Sequence, residues 1–65
     1  RNCIEGKIID IKKGPVSTEV TIESKCGQKL VSSITTTSAE NLGLEVGKTA
    51  FAVIKASNVM VAVNE

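Results

Sequence analysis

The chain has 65 residues, with eight Lys and Arg against seven Asp and Glu, a net charge of +1, no His, Trp or Tyr, and Phe51 as its one aromatic. That length holds one small domain, residues 1–65. The balanced charge argues against a nucleic-acid binder held by bulk electrostatics, and one aromatic cannot make a base-stacking platform. Without His, the commonest general base and metal ligand are both missing, so an enzyme is not expected.

The first predicted element covers residues 3–11, where Ile4, Ile8, Ile9 and Ile11 alternate loosely with Glu5, Lys7 and Asp10. Gly6 inside this run points to a bulge or a close backbone approach. Lys12-Lys13-Gly14-Pro15 is turn chemistry. Residues 18–23 then alternate cleanly, with Val20 and Ile22 on one face and Glu19, Thr21 and Glu23 on the other, as a half-buried strand does. Lys25-Cys26-Gly27-Gln28 closes a hairpin into residues 29–35, which place Leu30, Ser32 and Ile34 on one face. Thr37 with Glu40 matches a capping box, and Gly43 supplies a left-handed stop, so a short helix is predicted over residues 38–42. Glu45-Val46-Gly47-Lys48 is another turn. Residues 49–55 form a further strand, and Val59 to Val63 a final apolar one after Ala56-Ser57-Asn58. Five short strands with one helical turn predict a small all-β Greek-key barrel of the OB type.

A domain this small hides only about 60% of the surface its unfolded chain exposes, and such chains lean on disulfides, a metal or a partner subunit. Cys3 and Cys26 are too few and too far apart in sequence for a disulfide framework or a zinc site, and read as two reduced thiols behaving as small hydrophobes. No metal site is expected. Association between copies is the remaining route, and 42% hydrophobic residues suit a buried subunit interface. No segment approaches the roughly 20 apolar residues of a membrane span, and no signal peptide is visible. The expected location is the cytoplasm, with no membrane and no nucleic acid as partner.

Two stretches carry donor chemistry. Thr35, Thr36, Thr37 and Ser38 gather hydroxyls and unpaired backbone N–H groups at a helix start, where small oxyanions bind readily. Read from these residues alone, the plainer account is that Thr37 caps its own helix and the other hydroxyls face water. Lys55-Ala56-Ser57 ends an apolar strand with a cation followed by residues small enough to let backbone amides approach a ligand. A lone exposed Lys at a strand end is the plainer account there. Lys12, Lys13, Lys25 and Lys29 are interleaved with Glu5, Asp10, Glu19 and Glu23, which describes a solvated mixed-charge surface rather than a phosphate-binding patch. No base is available to activate a hydroxyl as a nucleophile, so no catalytic residue is assigned.

Asn41-Leu42-Gly43-Leu44-Glu45-Val46-Gly47-Lys48, followed by Ala52-Val53-Ile54-Lys55-Ala56-Ser57-Asn58-Val59-Met60-Val61, resembles the Mop domain of molbindins. These are small cytoplasmic molybdate-binding proteins related to the TOBE domains of transporter ATPases and of a molybdate-responsive regulator. Arg1-Asn2 resembles the end of the family's Ser-Ala-Arg-Asn motif, and Gly6-Lys7-Ile8-Ile9 with Lys13-Gly14-Pro15-Val16-Ser17-Thr18-Glu19-Val20 fits its first hairpin. The resemblance implies an OB-like barrel assembled as a hexamer, a trimer of dimers, with molybdate or tungstate held at subunit interfaces by hydrogen bonds. It implies a site built from Thr35 and Ser38 of one subunit, from Lys55, Ala56 (through its backbone N–H) and Ser57, and from Arg1 of a neighbour. On that basis both donor stretches become binding positions. The expected role is storage or homeostasis of the oxyanion, or alternatively a regulatory module of a larger transporter ATPase or regulator.

Overall fold

A computed structural model describes residues 2–64. Four antiparallel strands, β1 (Asn2–Lys13), β2 (Ser17–Ser24), β3 (Lys29–Thr35) and β4 (Thr49–Ile54), form one sheet in the order β3-β2-β1-β4. Three consecutive strands joined by hairpins, with a fourth returning beside the first, make a Greek key. The returning connection carries the helix α1 (Thr36–Leu42), and a 3-10 turn (Ala56–Asn58) follows β4.

Alternation decides which side faces inward. Thr18, Val20 and Ile22 are buried along β2, as their period-2 spacing requires, and Leu30, Ser32 and Ile34 share the half-buried face of β3. The core is small: Ile8, Val20 and Ile22, with Ile11, Ile34, Leu44, Ala50 and Ala52 packed against them.

Gly6 proves to be a close approach rather than a bulge. A Cβ there would sit 2.5 Å from the Glu23 carbonyl oxygen and 2.7 Å from an Ile22 methyl. The bulge lies three residues on, where Ile8 pairs with Ile22, Asp10 pairs with Thr21, and Ile9 is the extra residue. After it, Ile11 opposite Val20 still faces the core, so one unpaired residue preserves the apolar alternation.

Two expectations are corrected. The helix starts at Thr36 and is capped by Thr35, not Thr37, and Glu40 pairs with Lys13 instead of closing a capping box. Its end is as predicted, at Gly43 with φ 64°. Residues 59–63 form no strand, so the half-closed sheet has four strands and not five. The physical reason is that β-branched composition favours extended backbone, but a strand exists only through a partner's ladder. The turn at Ala56–Asn58 carries this run off the end of β4 and onto no edge among the described residues. Met60 and Val61 are left 92% and 87% exposed.

Candidate functional site

Thr35 is the last residue of β3, opposite Ser17, and its extended backbone (φ −68°, ψ 147°) lets its side chain turn back over the helix start. Its Oγ1 accepts the Ser38 backbone N–H at 3.0 Å and donates to Ser38 Oγ at 2.7 Å. The consequence is directional. Thr35's single proton is committed to Ser38, whose own proton is free to point outward.

Thr36, between them, faces the other way. Its hydroxyl donates to the Gly14 carbonyl at 2.6 Å, and because that proton is used, Thr18 must be the donor across the 2.8 Å Thr18–Thr36 contact. Thr18 is 1% exposed. With the Thr36 N–H on the Val16 carbonyl at 2.8 Å, this relay fastens the helix start to the β1–β2 turn. Sequence reasoning missed Thr18, Thr36 and Gly14 as the supports of this corner. The one available signal was Thr18, a polar residue at an inward position of an otherwise apolar face.

The second donor group lies where β4 ends. Lys55 has extended backbone (φ −65°, ψ 141°) and opens the 3-10 turn, in which the Asn58 N–H bonds the Lys55 carbonyl at 2.9 Å. Ala56 and Ser57 are the first residues of that turn, so their N–H groups have no acceptor within it. All three residues are exposed. Among the described residues the one ion pair is Lys13–Glu40, and Lys48 donates to the Gly43 carbonyl at the far end of α1. Lys55 does neither. Arg1 lies outside the described residues.

The fold brings Thr35 to Ser38 and Lys55 to Ala56 to Ser57, but it does not bring the two groups to each other. Ile54 pairs with Asn2 at the start of β1, while Thr18, next to Thr35's partner Ser17, pairs with Lys13 at its end. Twelve residues of β1 separate them, about 36 Å of extended strand. None of Thr35, Ser38, Lys55, Ala56 and Ser57 lines the depressions beside Gly6, Gly43 and Cys26. Hydroxyls stand at one end of β1, and a cation with the amide groups of the 3-10 turn at the other.

The lysines away from these groups stand beside acidic residues, as a mixed-charge surface does. Lys12 pairs across strands with Glu19, Lys29 with Glu23, and Lys13 bridges Glu40. No three His, Cys, Asp or Glu side chains gather as a metal site among the described residues, and no helix of the structure is long and apolar enough to cross a membrane.

Comparison with known proteins adds four findings. Residues 1–61 match the TOBE domain family model. The chain is 43% identical over 63 residues to a probable molybdenum-pterin-binding protein of Haemophilus influenzae, covering 97% of this chain and 91% of that one. Among solved structures, it is similar to an apo form of MopII from Clostridium pasteurianum (TM-score 0.94, 40% identity, 97% and 94% of the two chains). It is also similar to the cytoplasmic molybdate-binding protein ModG with molybdate bound (TM-score 0.89, 42% identity), covering 92% of this chain and 43% of that one.

Proposed function

The chain belongs to the TOBE domain family, in its molbindin (Mop) group, and from that premise we propose that it binds molybdate, with tungstate as an alternative ligand, as a non-enzymatic cytoplasmic store of the oxyanion. The observation that carries the mechanism is the separation of the two donor groups by the length of β1. No chain closes a site on itself. The hydroxyl end of one copy, Thr35 and Ser38, meets the cationic end of another, Lys55 with the Ala56 N–H and Ser57, in an assembly we take to be a hexamer built as a trimer of dimers. Arg1 joins from a neighbouring copy.

A tetrahedral dianion offers four acceptor oxygens and no donor, so a site made only of donors suits it. In the part of the site made by described residues, Ser38's outward proton, the amide N–H groups and Lys55 are all donors. Hydrogen bonds to a charged group contribute roughly 1.5–3 kcal/mol each, and a handful reach micromolar affinity, about −8 kcal/mol, after ordering and desolvation. Phosphate carries a proton near neutral pH that finds no acceptor in such a site, and sulfate is the smaller anion.

Calorimetric titration tests the ligand: molybdate releases heat above a sulfate control, and equal signals for the two reject the reading. Co-assembly tests the shared site. Lys55→Ala and Ser38→Ala chains each bind weakly alone, and mixed in equal amounts they restore about a quarter of the sites to full affinity, because each site draws on two copies independently. A mixture no better than its components rejects interface sharing.

The match to ModG over 43% of that chain supports a second reading, in which the same unit serves as a regulatory or accessory module of a longer chain. The mass of the native protein in cell extracts separates the two, and the anion chemistry is common to both.

A further inference from the structure

Cys3 and Cys26 are exposed, not buried as small hydrophobes. Among the described residues the one polar side chain that the core does hold is Thr18, 1% exposed on the inward face of β2. Its hydroxyl makes a single hydrogen bond there, at 2.8 Å to Thr36 Oγ1. We propose that Thr18 is a positioning residue for the oxyanion site, setting through Thr36 where Ser38 points and so how strongly molybdate is preferred over the smaller sulfate. The proposal rests on the reading of Thr35 and Ser38 as anion donors.

Successive residues of an α-helix are turned by about 100° around its axis, so Ser38 stands about 200° round from Thr36. Whatever holds Thr36 inward therefore turns Ser38 outward. Thr36 is half-buried and Ser38 exposed, as that rotation requires. Thr36 accepts from Thr18, donates its hydroxyl to the Gly14 carbonyl at 2.6 Å, and donates its N–H to the Val16 carbonyl at 2.8 Å. Gly14 and Val16 belong to the β1–β2 turn and move with it. Thr18 does not, because it is paired with Lys13 on one side and Ile34 on the other. The pairing of Thr35 with Ser17 fixes where the helix begins, and the Thr18 bond fixes its roll.

Packing does not supply that constraint. A depression of about 240 Å³ lies beside the helix, lined by Ile11, Thr18, Ala39 and Leu44 among others. Ala39 alone of the helix is buried. The remaining tie, Lys13 to Glu40 at 2.8 Å, joins side chains 59% and 58% exposed, where an ion pair holds weakly. Selectivity follows from the fixed roll. The oxygens of sulfate lie closer to its centre than those of molybdate, so a site spaced for molybdate bonds sulfate fully only if its donors close in. With Thr36 pinned, Ser38 does not follow the smaller anion. With the Thr18 bond gone it does, and the preference narrows.

The experiment titrates the unaltered protein, Thr18→Val and Thr18→Ser with molybdate, with and without competing sulfate, well below their melting midpoints. Thr18→Val keeps the shape of the buried side chain and deletes its proton, whereas Thr18→Ser keeps the proton. A chain that is merely less stable binds both anions less in the same proportion, since unfolded chain binds neither, and the ratio of the two affinities stands. The expected result is a molybdate-over-sulfate ratio lowered about fivefold or more in Thr18→Val and restored in Thr18→Ser. Thr36→Val removes the other end of the contact and lowers the ratio likewise; it carries the test should Thr18→Val not fold. An unchanged ratio in the valine variants, or one that Thr18→Ser fails to restore, overturns the proposal while leaving the oxyanion reading intact. No molybdate binding by the unaltered protein overturns that reading, and the proposal with it.

Discussion

Gly6 is the position in β1 where a side chain has no room, because backbone and not a flexible side chain fills the space. Gly6→Ala must push Glu23 and Ile22 aside, at about 1–3 kcal/mol of overpacking. At roughly 4–8 °C per kcal/mol for a domain this size, thermal unfolding should report a clear fall in midpoint. At the helix corner, two neighbouring hydroxyls have different duties. Ser38→Ala removes the outward donor and leaves the cap in place, so molybdate affinity should fall about tenfold or more while the unfolding midpoint holds. Thr35→Ala removes the cap itself, so it should lower stability by about 1 kcal/mol as well as weaken binding. Measuring both variants by calorimetry and by thermal melting separates the roles; equal melting points would refute the division.

Helix α1 shows how far an element can be read from its letters. Its end was legible, since Gly43 takes a conformation that Gly reaches without steric cost. Its start was not, because four consecutive hydroxyl residues each satisfy the cap preference. What selects Thr35 is tertiary: β3 runs on to pair Thr35 with Ser17, and Thr36 is then drawn onto Gly14 and Thr18. Glu40, the other half of the expected capping box, goes to Lys13 across the chain. Thr36→Val keeps the shape and deletes the relay, leaving the Gly14 carbonyl and the buried Thr18 hydroxyl without their partner. A loss of about 1–3 kcal/mol is expected in denaturant unfolding, and a neutral result would show that the corner does not depend on the relay. Residues 59–63 make the complementary point. Their β-branched letters favour a strand, but no letter says whose edge would complete it, and none does among the described residues. Lys55 and Ser38 were visible in the sequence as donors, and only the family motif raised them to proposed binding positions, because nothing within one chain brings the two ends of β1 together.

The molecule as a whole is longer than its residue count suggests. A compact chain of 65 residues has a radius of gyration of about 11 Å, whereas this one measures 12.7 Å, with extents of 40 × 23 × 21 Å. Its fully buried hydrophobics are few, and Phe51, Val53, Met60, Val61 and Val63 stand exposed on β4 and beyond it. Val61→Asp is therefore expected to leave the fold of the single chain intact, since that side chain touches none of the core. It should break assembly, seen as a fall to smaller species in sedimentation, if this exposed run lies in the interface of the proposed assembly. An unchanged sedimentation coefficient would remove residues 59–63 from the interface.

The length of β1 has one more consequence if the donor groups meet only between copies. A solitary chain then holds no anion at all, whatever the quality of its donors. Capacity appears when chains are numerous enough to find one another, so it climbs more steeply than the amount of protein made. The cell's control over its oxyanion reserve would then lie in how much of this chain it synthesises, with a threshold set by a strand twelve residues long.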